Sequence, residues 1–129
     1  MKTVLLDCLY VGIGGFAGAL CRYGIALSSK HWWPGAFPLG TLIANVLGCF
    51  LIGLLIGSGL GESNKSAKLL FGVGFLGALT TFSTFAAETV GAANDENYGL
   101  ATSNVLLNLA IGFPALLLGM WCARKFFSA

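Results

Sequence analysis

The sequence predicts an all-α membrane protein built from four transmembrane helices. Three observations predict it. Of the 129 residues, 57% are hydrophobic and 9% are charged, with a mean hydropathy of +0.85, whereas soluble domains carry about 25% charged residues. The few charges are gathered between long apolar runs. Each run is long enough to cross about 30 Å of hydrocarbon, which takes about 20 residues at 1.5 Å each.

The first span is expected at about Val4–Leu27, since Cys8 to Cys21 is free of charge between Asp7 and Arg22. This run is long for a cleaved signal peptide, and the chain after it would still be a membrane protein, so it is read as a retained helix. The second is expected at about Pro38–Leu60, within a stretch from Trp32 to Gly61 that holds no acid, Lys or Arg. The third is expected at about Leu69–Val90, where Glu88 is the only charge between Lys68 and Asp95. The fourth is expected at about Tyr98–Ala123, with no charge from Asn97 to Ala123. The reading is of one transmembrane domain over residues 1–129.

The connections are short. Lys30, His31, Trp32, Trp33 and Pro34 fall between the first two spans, where paired tryptophans suit an interfacial aromatic belt. His31 has no neighbours that would make it a metal ligand. An even number of spans puts both termini on one side, with Lys2, Lys65, Lys68, Arg124 and Lys125, against Arg22 and Lys30 on the other. That bias favours cytoplasmic termini, though modestly enough that both orientations stay open. The net charge of +2 is too small to point to nucleic acid. Cys8, Cys21, Cys49 and Cys122 form no CxxC pair and read as small buried hydrophobes.

Small and polar residues inside the spans carry more information. Gly14 and Gly18 make one GxxxG, Gly53 and Gly57 another, and Gly40, Ala44 and Gly48 continue the spacing. Such stripes let helix backbones approach closely. Asn45 sits deep in the second span, and Asn104 and Asn108 lie one turn apart on one face of the fourth. Taken singly, each reads as interhelical glue.

The third span is different. Gly72, Gly74 and Gly77 precede Thr80, Thr81, Ser83 and Thr84. Glycine weakens the helix, and hydroxyls compete for its backbone bonds. The helix is therefore expected to break near its middle, with a mere kink as the plainer alternative. A break at membrane depth must be buried in protein or line an aqueous cavity. Its freed carbonyls would suit a hard cation. Phe82 and Phe85, three residues apart, alternate with Ser83 and Thr84, an odd mixture for a lipid-facing surface. The positive edges of aromatic rings, with hydroxyl and amide donors, can solvate a small anion without a counter-charge that traps it.

Three stretches carry a resemblance. They are Gly15-Phe16-Ala17-Gly18-Ala19-Leu20-Cys21-Arg22-Tyr23, Gly40-Thr41-Leu42-Ile43-Ala44-Asn45-Val46-Leu47-Gly48, and Gly74-Phe75-Leu76-Gly77-Ala78-Leu79-Thr80-Thr81-Phe82-Ser83-Thr84-Phe85. With them the chain resembles, over essentially its whole length, the Fluc (CrcB-type) fluoride channels of bacteria. The resemblance implies an antiparallel, dual-topology dimer in the bacterial cytoplasmic (inner) membrane, with two fluoride pathways along the subunit interface. It implies Phe82 and Phe85 as ring-edge ligands of fluoride, Asn45 as an amide donor, and Ser83 and Thr84 in the same lining. It implies a structural sodium ion held by backbone carbonyls of Gly77 and Thr80 from both subunits, Arg22 near the vestibule, and Glu88, Asn104 and Asn108 along a polar track. The chain departs from the family pattern at Ala78 and Ala86, and in using asparagines in the fourth span.

The resulting expectation is a non-enzymatic, passive fluoride exporter surrounded by lipid, as a homodimer or as a heterodimer with a related chain. Two rivals remain. A four-span coupled transporter would need a membrane-centred carboxylate, and Asp7 and Glu88 both lie near span ends. A non-transporting scaffold would use the glycine stripes but leave the polar third span unexplained.

Overall fold

In a computed structural model, the protein is described over residues 2–127, with side chains from 3 to 126. It is all helical. α1 (Lys2–Trp32) and α2 (Leu39–Gly57) are followed by the short α3 (Leu60–Ser63) and α4 (Lys65–Ala67). A π-helical stretch (Lys68–Leu76) leads into α5 (Gly77–Leu79), then α6 (Phe82–Asn94) and α7 (Tyr98–Phe127). Among the described residues, four stretches are long and apolar enough to cross a membrane: Thr3–Trp32, Leu39–Gly57, Lys65–Asn94 and Tyr98–Phe126. Their outer faces are apolar, with Leu5 74%, Phe16 69% and Phe113 67% exposed. Lipid is the medium that accepts such a surface, and the protein is a multi-pass membrane protein.

The helix limits differ from expectation by a few residues, for local reasons. α1 continues beyond Leu27 until Trp33, which precedes Pro34; a residue before proline is pushed out of helical geometry. α2 stops earlier than Leu60, because Gly59 adopts φ 67° and its N–H closes the last turn on the Ile56 carbonyl. The third stretch starts earlier than Leu69: Asn64 Oδ1 accepts from Ala67 N–H and caps α4. It also ends later, at Asn94. α7 begins at Tyr98, behind the Asn97 side chain that accepts from Leu100 N–H.

The glycine stripes join spans within the chain. α1 packs along the π-helical stretch and α2 along α7. A β-carbon on Gly14 would overlap the Leu70 carbonyl, and one on Gly18 the Phe75 carbonyl. From the other side, a β-carbon on Gly74 would lie 2.6 Å from the Val11 oxygen. In the second pair, β-carbons on Gly53 and Gly119 would overlap the carbonyls of Leu116 and Phe50. Backbone meets backbone in both seams, as close packing through small residues requires.

Two of the cysteines depart from expectation. Cys8 and Cys21 are exposed on the outer face of α1, while Cys49 and Cys122 are partly buried. An apolar thiol facing lipid carries no penalty that would force it inward.

Candidate functional site

Thr80 and Thr81 separate α5 from α6. Both are extended, with φ −79° and ψ 155° at Thr80 and φ −151° and ψ 111° at Thr81. Their backbone groups leave the helical ladder for other partners. Thr81 N–H, which in a continuous helix would donate to the Gly77 carbonyl, donates instead to Asn45 Oδ1 at 2.9 Å. Thr84 N–H donates to Thr81 Oγ1 at 3.2 Å, making Thr81 the N-cap of α6. The Gly77 and Thr80 carbonyls thereby lose the donors four residues on. The Thr80 hydroxyl donates back to the Leu76 carbonyl at 3.0 Å. Its methyl group sits over Gly48, where a β-carbon would overlap it.

Asn45 lies beside this extended pair and reaches across three elements. Its Nδ2 donates to the Thr81 carbonyl at 3.4 Å and to Asn108 Oδ1 at 3.1 Å. Asn108 Nδ2 donates to the Asn104 carbonyl at 2.9 Å and to Asn104 Oδ1 at 3.1 Å. Asn104 is 1% exposed, and its Nδ2 donates to Thr89 Oγ1 at 2.9 Å. Thr89 Oγ1 donates to the Phe85 carbonyl at 2.8 Å. One continuous run of hydrogen bonds thus joins α2, α7 and α6.

On the open side lies a groove of about 510 Å³, lined among others by Asn45, Gly77, Thr80, Thr81, Phe82, Phe85 and Asn108. Among the described residues, no charged side chain lines it. Phe82 is 79% exposed and Phe85 partly buried; their rings are 5.8 Å apart and tilted by 48°. Ser83 and Thr84 are exposed on the same turn. Thr81 Oγ1 lies 3.0 Å from Thr84 Oγ1 and donates to it.

Glu88 stands apart from the asparagines. Thr41 Oγ1 on α2 donates to Glu88 Oε1 at 2.8 Å, and Oε2 is buried without a hydrogen-bond partner. Glu88, Thr41, Lys30 and Asp95 share a separate cavity of about 570 Å³. Arg22, partly buried on α1, lines neither this cavity nor the groove. The structure therefore gathers Asn45, Thr80, Phe82, Phe85 and Asn108 at one groove and joins Asn104 to them through Asn108. It puts Glu88 and Arg22 elsewhere.

A family profile described as "CrcB-like protein, Camphor Resistance (CrcB)" matches residues 9–120. The chain belongs to the CrcB-like family. It is 40% identical over 125 residues to the "Fluoride-specific ion channel FluC" of Clostridium perfringens, covering 95% of this chain and 98% of that one. It is 47% identical over 106 residues to the "Fluoride-specific ion channel FluC 1" of Natronomonas pharaonis, covering 81% and 82%. It is 42% identical over 114 residues to the "Fluoride-specific ion channel FluC" of Shewanella baltica, covering 88% and 92%. The family is thus one of ion channels, not of enzymes.

In this CrcB-like chain, three hydroxyls not singled out from the sequence as site residues hold sequence-predicted residues in place, two of them beside the groove and Thr41 in the separate cavity. Thr81 caps α6 and is pinned by Asn45. Thr89 joins Asn104 to the Phe85 carbonyl. Thr41 bonds the Glu88 carboxyl. The available signal for Thr89 was an asparagine in the fourth span in need of a partner, but a lone span threonine commonly bonds its own backbone.

Proposed function

We propose that this chain forms a fluoride-selective channel that exports fluoride passively across the cytoplasmic (inner) membrane and so limits its toxicity. The observation that carries the reading is the uncharged groove at the extended pair. It combines two phenyl rings, an amide and threonine hydroxyls in a chain whose relatives are named as fluoride channels. Fluoride is small and tightly hydrated, so a path for it must replace water with close donors. Ring edges of Phe82 and Phe85 offer positive rims. Ser83 and Thr84 offer hydroxyls on the same turn. Asn45 offers the amide hydrogen it holds least tightly, the one in the 3.4 Å bond to the Thr81 carbonyl. None of these is a fixed cation, so the ion can leave as well as enter. Membrane potential and the fluoride gradient supply the driving force.

The remaining residues take supporting places. Arg22 enriches anions near the mouth. Asn104 and Asn108 flank the path between the third and fourth spans, and Glu88 stands beyond them beside Thr41. Two copies, inserted antiparallel, would meet across the exposed groove face and complete its walls; a homodimer needs this chain in both orientations, a heterodimer a related partner. A structural sodium ion fits the donor chemistry at Gly77 and Thr80. Their carbonyls have lost their helical donors, and Gly77 is exposed on the open face. Bare carbonyls from two copies would hold the ion, whose positive charge would offset the converging carbonyl dipoles.

The test is ion efflux from liposomes containing only this chain, with fluoride or chloride inside. The reading expects rapid fluoride release without a proton gradient and retention of chloride. Vesicles that retain both ions would refute it for the chain alone, and equal release would refute selectivity.

A further inference from the structure

The run of hydrogen bonds beside the groove has a direction. It starts at a group that can only donate, Thr81 N–H, and ends at one that can only accept, the Phe85 carbonyl. Between them, Asn45 passes a donor to Asn108, Asn108 to Asn104, and Asn104 to Thr89. An amide has one accepting and one donating end. Flipping any of the three would set oxygen against oxygen or N–H against N–H. The two backbone ends therefore fix the orientation of every amide in the run. Both ends lie on the same turn of α6, the turn that carries Phe82 and Phe85. The run leaves that turn, passes through α2 and α7, and returns to it.

We propose that Asn104, Asn108 and Thr89 are positioning residues. They lock the Asn45 amide and the first turn of α6, and through them the orientation of the Phe82 and Phe85 rings, without touching the ion. The donors agree with this role. Asn108 spends its Nδ2 on two oxygens of Asn104, and Asn104 is fully buried behind it. Thr89 spends its only proton on the Phe85 carbonyl. The proposal rests on the reading of the groove as a fluoride path, and its test separates the two.

The experiment uses the full chain in liposomes, with Asn108→Leu, Thr89→Val, the double variant and Asn108→Asp. Fluoride efflux is one readout. The other is the ¹⁹F resonance of a 4-fluorophenyl ring introduced at position 85, recorded in fluoride-free chloride buffer. Asn108→Leu and Thr89→Val each cut the same run, so each lowers efflux about tenfold, and the double variant falls no more than about twofold below the weaker single. The ring resonance shifts or broadens in all three.

Asn108→Asp gives a sharper signature. Its side chain faces two oxygens of Asn104, so a neutral carboxyl can donate there and a carboxylate cannot. Efflux and ring signal then change together as pH rises from about 6 to about 9, with efflux falling at least about fivefold. The titratable groups on the packed neighbours are Cys49 on α2 and Glu88 on α6, and the unsubstituted chain, which keeps both, is the control for them. If Asn108→Leu fails to fold, the pH profile of Asn108→Asp decides. Efflux that falls while the ring signal stays fixed would overturn the proposal in favour of direct contact with the ion. Neither readout moving would overturn it outright. If the unsubstituted chain passes no fluoride, the function fails, and the ring resonance still decides whether the run positions the rings.

Discussion

Two kinds of seam hold this chain together, and they work on opposite principles. Where α1 meets the π-helical stretch, and where α2 meets α7 around Gly53 and Gly119, glycine lets backbone touch backbone, and the contact is dry. Where α6 meets α2 and α7, and where Asn45 of α2 meets Asn108 of α7, three amides and a hydroxyl lie between the helices. In lipid the first kind of seam gains its strength from close packing, and the second from hydrogen bonds that average about 0.6 kcal/mol each in membrane proteins. The dry seams tolerate no change of shape. The polar one tolerates no change of donor and acceptor order. The lesson is a division of labour: the glycine stripes are consumed inside the chain and build the scaffold, and the polar residues tie down the extended pair beside the groove.

That contrast can be broken most severely at the dry seams. Gly18→Leu would push a side chain into the Phe75 carbonyl and Gly119→Leu into that of Phe50, and neither neighbour is a flexible side-chain tip. Overpacking costs about 1–3 kcal/mol even where side chains can yield; against backbone each variant is expected to give no monodisperse protein on gel filtration. Asn45→Leu comes next. It removes the acceptor of Thr81 N–H and the donor to Asn108 together. A buried group left unpaired costs about 1–3 kcal/mol, so folded protein survives, with earlier unfolding in detergent and fluoride efflux reduced at least about tenfold. Thr41→Val removes the hydrogen bond from α2 to Glu88 on α6 and leaves the run of amides intact. A loss of about 1 kcal/mol is expected, with a severalfold change in efflux and an unaltered assembly size. Asp7→Asn is the smallest. It deletes the 2.6 Å ion pair with Lys65, which is 65% exposed. Surface pairs contribute about 0–1 kcal/mol, less in salt, so unfolding in detergent should barely move.

The scaffold was far more legible in the sequence than the site. Long runs nearly free of charge located every span, because a charge in hydrocarbon is costly enough to be rare. The GxxxG pairs announced close approach, although not which span would receive them. The segment from Gly77 to Phe85 was marked locally by its glycines and hydroxyls. What fixes it was not local. Asn45 is 36 residues from Thr81 and 63 from Asn108. Composition can show that an amide needs a partner in lipid, but not which of several hydroxyls and amides will supply it. For the same reason Glu88, placed by resemblance on a polar track between the third and fourth spans, has its hydrogen-bond partner in Thr41 on α2. The helix limits missed by a few residues belong to caps such as Gly59 and Asn64, whose effect depends on backbone angles that hydropathy does not encode.

The claim that the open groove carries fluoride is tested most directly by Phe82→Ile and Phe85→Ile. Each keeps an apolar side chain while removing the positive ring rim. Efflux of fluoride from liposomes containing either variant should fall at least about tenfold below that of the unsubstituted chain, with the same assembly size and chloride still retained. Fluoride efflux that matches the unsubstituted chain in both variants would contradict the account.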